Sequence, residues 1–75
     1  MVDLDSLIIR IITEAERPLT IGEVLHSLNN DYGVRCTYDR AYDRLMSLTL
    51  HRYLDSEMTK KHAGGYKRTF SLVTA

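Results

Sequence analysis

Cysteine, proline and phenylalanine each occur once in the 75 residues, and tryptophan does not occur at all. The lone Cys36 has no partner for an internal disulfide, which suits a reducing compartment and reads as a small structural residue. No C-x-x-C pair exists, and His26, His51, His62 and Cys36 match no zinc spacing, so no metal or other cofactor is expected. Glycine is scarce too, and no glycine-rich phosphate loop is present. No serine or cysteine nucleophile sits beside an obvious base, so the chain does not read as an enzyme. No apolar run approaches the roughly 20 residues that span a bilayer. The acidic start (Asp3, Asp5) lacks the basic region of a secretory signal. A cytoplasmic protein with no membrane partner is expected.

Net charge is also missing: ten basic residues balance ten acidic ones. The two signs are unevenly distributed. Residues 1–34 carry six acids (Asp3, Asp5, Glu14, Glu16, Glu23, Asp31) against Arg10 and Arg17. Residues 35–75 carry eight bases (Arg35, Arg40, Arg44, Arg52, Lys60, Lys61, Lys67, Arg68) against Asp39, Asp43, Asp55 and Glu57. Such a split can make one face basic while the whole stays neutral, although ordinary scatter of surface charge gives the same count. A chain of this length forms one domain, residues 1–75, burying about 60–65% of its unfolded surface. A core that thin leaves little room for a catalytic cleft and favours a binding module.

Three helices are legible. Leu4, Leu7, Ile8, Ile11, Ile12 and Ala15 recur at three-and-four spacing, predicting a helix over about 4–16. Asp3 is its cap, Val2 and Leu7 form a hydrophobic staple, and Pro18 ends it. Thr20 and Glu23 make a T-x-x-E capping box for a second helix over about 21–30, striped by Ile21, Val24, Leu25 and Leu28. Thr37 caps a third over about 38–51. Its apolar face reads as Tyr38, Ala41, Tyr42, Leu45, Leu48 and Thr49. After Arg52 the period changes from three-and-four to two. Strands are expected at about 53–58 and 66–73, joined by a loop over 59–65 in which Gly64 and Gly65 tolerate positive φ. The fold class is therefore α+β, three helices followed by a C-terminal two-stranded hairpin.

This order resembles the winged helix-turn-helix superfamily from Leu4 to Val73. The cues are Arg17-Pro18-Leu19-Thr20-Ile21-Gly22-Glu23-Val24 entering the second helix and Thr37-Tyr38-Asp39-Arg40-Ala41-Tyr42-Asp43-Arg44-Leu45-Met46-Ser47-Leu48 for the third. Tyr53-Leu54 leads into the hairpin and Arg68-Thr69-Phe70-Ser71-Leu72 returns from it. The pattern is similar to bacterial and archaeal transcription regulators of the PadR and MarR types. It departs from them at Arg52, where those families usually carry glycine, and in lacking their dimer-forming extra helices. The resemblance implies binding of double-stranded DNA, with the third helix in the major groove and the hairpin, or wing, on the backbone or minor groove.

Under that implication the third helix offers Tyr38, Asp39, Arg40, Asp43, Arg44 and Ser47 to base edges. The wing offers Lys60, Lys61, His62, Lys67 and Arg68 to phosphates. Arg35 and Thr37 stand where a phosphate would meet the helix start. Each group has a plainer alternative. The acids and arginines of the helix can pair across turns on a solvated face, the lysines can keep a loop soluble, and Thr37 can be a cap alone. Tyr38 and Tyr66 are candidate base contacts, whereas Tyr42 and Tyr53 read as core-edge residues. Met46, Leu50 and Met58 favour a different function, a protein-interaction winged-helix module of a larger assembly. RNA binding through the same basic face is a third reading. A homodimer is expected, joined through the apolar first helix or the Leu72-Val73 end, and no small-molecule ligand is expected.

Overall fold

A computed structural model describes residues 3–73. Its elements are α1 (Leu4–Ala15), β1 (Leu19–Thr20), α2 (Ile21–Asn30), α3 (Tyr38–Leu50), β2 (Leu54–Lys60) and β3 (Tyr66–Leu72). The class is α+β, with three helices and a three-stranded antiparallel sheet. The expected staple between Val2 and Leu7 involves a residue outside those described.

The helix starts follow the cap chemistry. Asp3 accepts from the backbone N–H of Asp5 and from the Ser6 hydroxyl. At α2 the capping box closes both ways: Glu23 N donates to Thr20 Oγ1 at 3.2 Å, and Thr20 N donates to Glu23 Oε1 at 3.0 Å. Thr37 Oγ1 accepts from Arg40 N.

The helix ends are less ordinary. Glu16 (φ 53°) and Arg52 (φ 64°) occupy the left-handed region, where a side chain is strained. At the end of α3, Tyr53 N donates to Leu48 O and Arg52 N to Thr49 O. This is a Schellman closure, with Arg52 at the position that glycine ordinarily fills. The backbone there keeps the shape that glycine would give, although the residue differs.

The sheet has one strand more than the sequence pattern suggests. Its order is β1-β3-β2, and β3 is central. Leu19 pairs with Phe70 and Thr20 with Thr69, so the segment entering α2 is also a strand. Pro18 and the extended N-cap backbone of Thr20 (ψ 165°) straighten this segment. Two residues are too few for a period-two signal to register. β2 runs to Lys60, two residues beyond the expected end, which shortens the loop to 61–65. There Gly64 N donates to Lys61 O and Lys61 N to Gly65 O, with both glycines at positive φ.

The core is wholly apolar. Ile8, Ile11 and Ile12 of α1 meet Val24 and Leu28 of α2, Leu45 and Leu48 of α3, Leu19, Leu54 and Phe70. No polar side chain is buried among the described residues. Two expectations fail here: Tyr42 and Tyr53 are 42% and 62% exposed and do not seal the core edge. Ala41, Leu45 and Leu48 already fill the contact face of α3, which turns Tyr42 outward.

Phe70 is the only phenylalanine and is fully buried on the central strand. Phe70→Ala removes about 3–5 kcal/mol, comparable with the whole stability of a domain this small, and leaves the chain largely unfolded by circular dichroism. Arg52→Gly relieves the left-handed strain and raises the urea midpoint, by up to about 1 kcal/mol in stability.

Candidate nucleic-acid interface

Among the described residues there are three salt bridges, and each uses an acid of α1 or α2. Arg10 pairs with Glu14, and Arg17 with Glu23. The third crosses the molecule: Arg44 of α3 grips Asp5 of α1 with two hydrogen bonds, Nε at 2.8 Å and Nη2 at 2.6 Å. A planar guanidinium matches a carboxylate in this two-pronged way. Those bonds hold the Asp5 carboxyl below its ordinary pKa; burial opposes them, and the charges of Arg44 and then Arg40 add lesser contributions in the same direction as the bonds. Glu14 is lowered chiefly by its bond from Arg10, and Glu23 by its bond from Arg17 with help from the Thr20 N–H.

The Arg44–Asp5 pair changes what α3 presents. Arg44 and Ser47 are half-buried, and Arg44 is tied to α1 instead of projecting outward. The Ser47 carbonyl accepts from the backbone of His51. The side of α3 opposite Ala41, Leu45 and Leu48 carries Asp39, Asp43 and Leu50, with Met46 beside them and Tyr38 and Tyr42 on one flank. Arg40 stands on the other flank, exposed and in no salt bridge with a described residue. Thr37 and Arg35 are exposed at the helix start. The outward ridge of α3 is thus acidic and aromatic, with one free arginine at its side.

The β2–β3 hairpin is different. Side chains alternate across the sheet, so Ser56, Met58 and Lys60 share a face with Leu54, and Tyr66 and Arg68 share it with Phe70. Toward the tip this face continues past the buried Leu54 and Phe70 as Met58, Arg68, Lys60 and Tyr66. It carries no acid. Arg68 is half-buried and donates to Ser56 Oγ at 2.9 Å, whereas Lys60 is exposed, opposite Tyr66. Lys67 lies on the other face, opposite Thr59 and diagonal to Glu57. Lys61 and His62 form the exposed turn.

Lys60, Lys61, His62 and Lys67 therefore come together at one end of the molecule. Arg35, Thr37, Tyr38, Asp39 and Arg40 come together at the start of α3. Cys36, half-buried between them in sequence, packs against the core. No cluster of metal-ligating side chains occurs among the described residues. No helix described is long and apolar enough to cross a membrane.

One concave feature is not visible in the sequence pattern. An open groove of about 880 Å³ runs between α1, β1 and α2, floored by Ile11, Ala15 and Leu19 and rimmed by Glu14, Glu23 and Asp31. Side chains of α1, β1 and α2 form it jointly, which spacing along either helix does not reveal.

No family model, curated protein or solved structure matches the chain. Function has to be argued from these side chains.

The depressed carboxyls set an acid limit. A carboxyl with a lowered folded-state pKa stabilises the fold above its unfolded value, about 4, and that contribution fades as pH falls through the folded value. The urea midpoint is expected to hold from pH 7 to about 5 and to drop below about 4. Asp5→Asn is expected to start lower at pH 7 and to lose less between pH 5 and pH 3 than the parent protein.

Proposed function

We propose that the protein binds double-stranded DNA as a winged helix-turn-helix transcription regulator. In this reading the first turns of α3 enter the major groove and the β2–β3 hairpin, as the wing, lies on the adjacent backbone or minor groove. One observation carries it: Lys60, Lys61, His62 and Lys67 are exposed at the hairpin, and none forms a salt bridge with a described residue. Phosphates would neutralise these charges and release counterions, which supplies affinity independent of sequence. Arg35 and Thr37 add a phosphate contact at the start of α3, and Arg40 with Tyr38 and Asp39 would meet base edges. Arg68, half-buried and bonded to Ser56, supports the hairpin and adds positive potential. Arg44 and Ser47 belong to the supporting framework of α3, since Arg44 fixes the helix against α1 through Asp5. The protein would act in the cytoplasm, and with the nucleoid in a prokaryotic or viral setting.

A second reading, a protein-docking module, has one observation in its favour. Tyr38 (53%), Leu50 (78%) and Tyr53 are exposed on or just after α3, and tyrosine is enriched where proteins meet. Pairing of two copies through α1 would have to use the half-buried Leu4, Leu7 and Ile9, because Ile8, Ile11 and Ile12 are in the core. Leu72 and Val73 remain exposed for that purpose.

Gel retardation on random-sequence duplex separates the readings. The expected result is binding at low salt that weakens steeply as salt rises. Lys60→Ala with Lys61→Ala is expected to lower affinity on every sequence alike and to flatten the salt slope by about 2. Absence of duplex binding at low salt, together with capture of a protein partner through Tyr38 and Leu50, rejects the regulator.

A further inference from the structure

The outer edge of β2 has no partner in the fold. β3 is the central strand, β1 takes its far side, and no described strand lies beyond β2. The register from Leu54↔Leu72 to Lys60↔Tyr66 runs without a bulge, and β2 contains no proline. Asp55 and residues 57–60 are exposed, so no described element covers this edge. Bulges, proline and cover are the usual guards of an open edge, and charge is the one that remains. Here the charges are sorted by sign along the chain: Asp55 and Glu57 come first, Lys60 and Lys61 last. A parallel copy would set like charge on like. An antiparallel copy sets acid beside base.

The ladder decides which backbone groups face outward. Lys61 N donates to Gly65 O at 3.0 Å, one step beyond the Lys60↔Tyr66 pair. Hydrogen-bonded pairs recur at every second residue of an antiparallel ladder. Asp55, Glu57 and Thr59 therefore turn their backbone groups toward β3, and Ser56, Met58 and Lys60 turn theirs to the open edge. A two-fold axis through Met58 puts Met58 opposite Met58, Ser56 opposite Lys60 and Asp55 opposite Lys61. Outward groups then meet outward groups, and the side chains of both copies keep their faces. Moving the axis to Glu57 would oppose two like charges, which is destabilising. Asp55 and Lys61 form no salt bridge with a described residue. Met58, 52% exposed, would be covered at the axis.

We propose that the β2 edge binds a second copy of this chain, antiparallel about Met58, with Asp55–Lys61 ion pairs between the copies fixing the register. Two three-stranded sheets thereby become one continuous sheet. The interface is self-complementary and uses neither α1 nor the Leu72–Val73 end. It is independent of the DNA-binding reading, although Lys60 and Lys61 serve both.

Sedimentation equilibrium of the full chain at low salt, over a range of concentrations, tests it. Wild type is expected to pass from monomer to dimer as concentration rises. Asp55→Lys and Lys61→Asp are each expected to weaken dimerisation about 10-fold or more, since each turns both ion pairs into like charges. An equimolar mixture of the two variants is expected to regain dimers, because every pair is then acid with base. A chain carrying both substitutions is expected to regain them for the same reason. Both sites are exposed, and an unchanged thermal midpoint, measured where wild type is monomeric, shows that the variants fold. Wild type that stays monomeric at every concentration overturns the inference. So do dimers that the single substitutions leave intact, and single variants whose mixture regains none.

Discussion

The position of β3 governs the rest of the molecule. Its Phe70 is fully buried, paired with Leu19 on one side and Ser56 on the other. That one residue joins the entrance of α2 to the hairpin and gives α1 its floor. Among the described residues the core is eleven buried apolar residues with no buried polar side chain. The base of the hairpin is fixed by the buried Leu54 and Phe70, while its far residues (Met58 to Lys60, Tyr66 and Lys67) are exposed. A rigid base with an exposed tip is the arrangement that lets surface lysines reach a partner without destabilising the fold.

Charge is sorted in the same manner. Acids of α1 and α2 take Arg10 and Arg17 locally and Arg44 from across the molecule. The cations left over lie at the loop before α3, along one flank of α3 and at the hairpin. A protein with no net charge thereby acquires a basic end and an acidic groove on the α1–α2 side. Such a distribution makes the potential more positive at the hairpin than at the groove. The Arg44–Asp5 pair has a second consequence: it converts a residue that looks like a base reader into a brace, and it leaves the ridge of α3 acidic.

Much of the fold was legible from the chain. The capping residues Asp3, Thr20 with Glu23, and Thr37 announced all three helix starts, because a cap is a local bond between residues at most three apart. The hairpin was legible from the change of period and from Gly64-Gly65. The strand at Leu19–Thr20 was not, since two residues form a strand only because β3 is there to pair with them. At the candidate site the exposed lysines and Arg40 were readable as charges. The capture of Arg44 was not: its partner is 39 residues away, and only the packing of α1 on α3 brings them together. Tyr42 failed for a related reason. Helical spacing names a face, and the width of the face that the neighbours cover is decided by tertiary packing.

The central claim is that the hairpin tip and the start of α3 form one surface for duplex DNA. Titrating isotopically labelled protein with a short random duplex, followed by amide chemical shifts, tests it residue by residue. The account expects the largest changes at 35–43 and 60–67, with α1 and the Glu14–Glu23–Asp31 groove unmoved. Shifts confined to the α1–α2 groove, or no shifts at low salt, would contradict it.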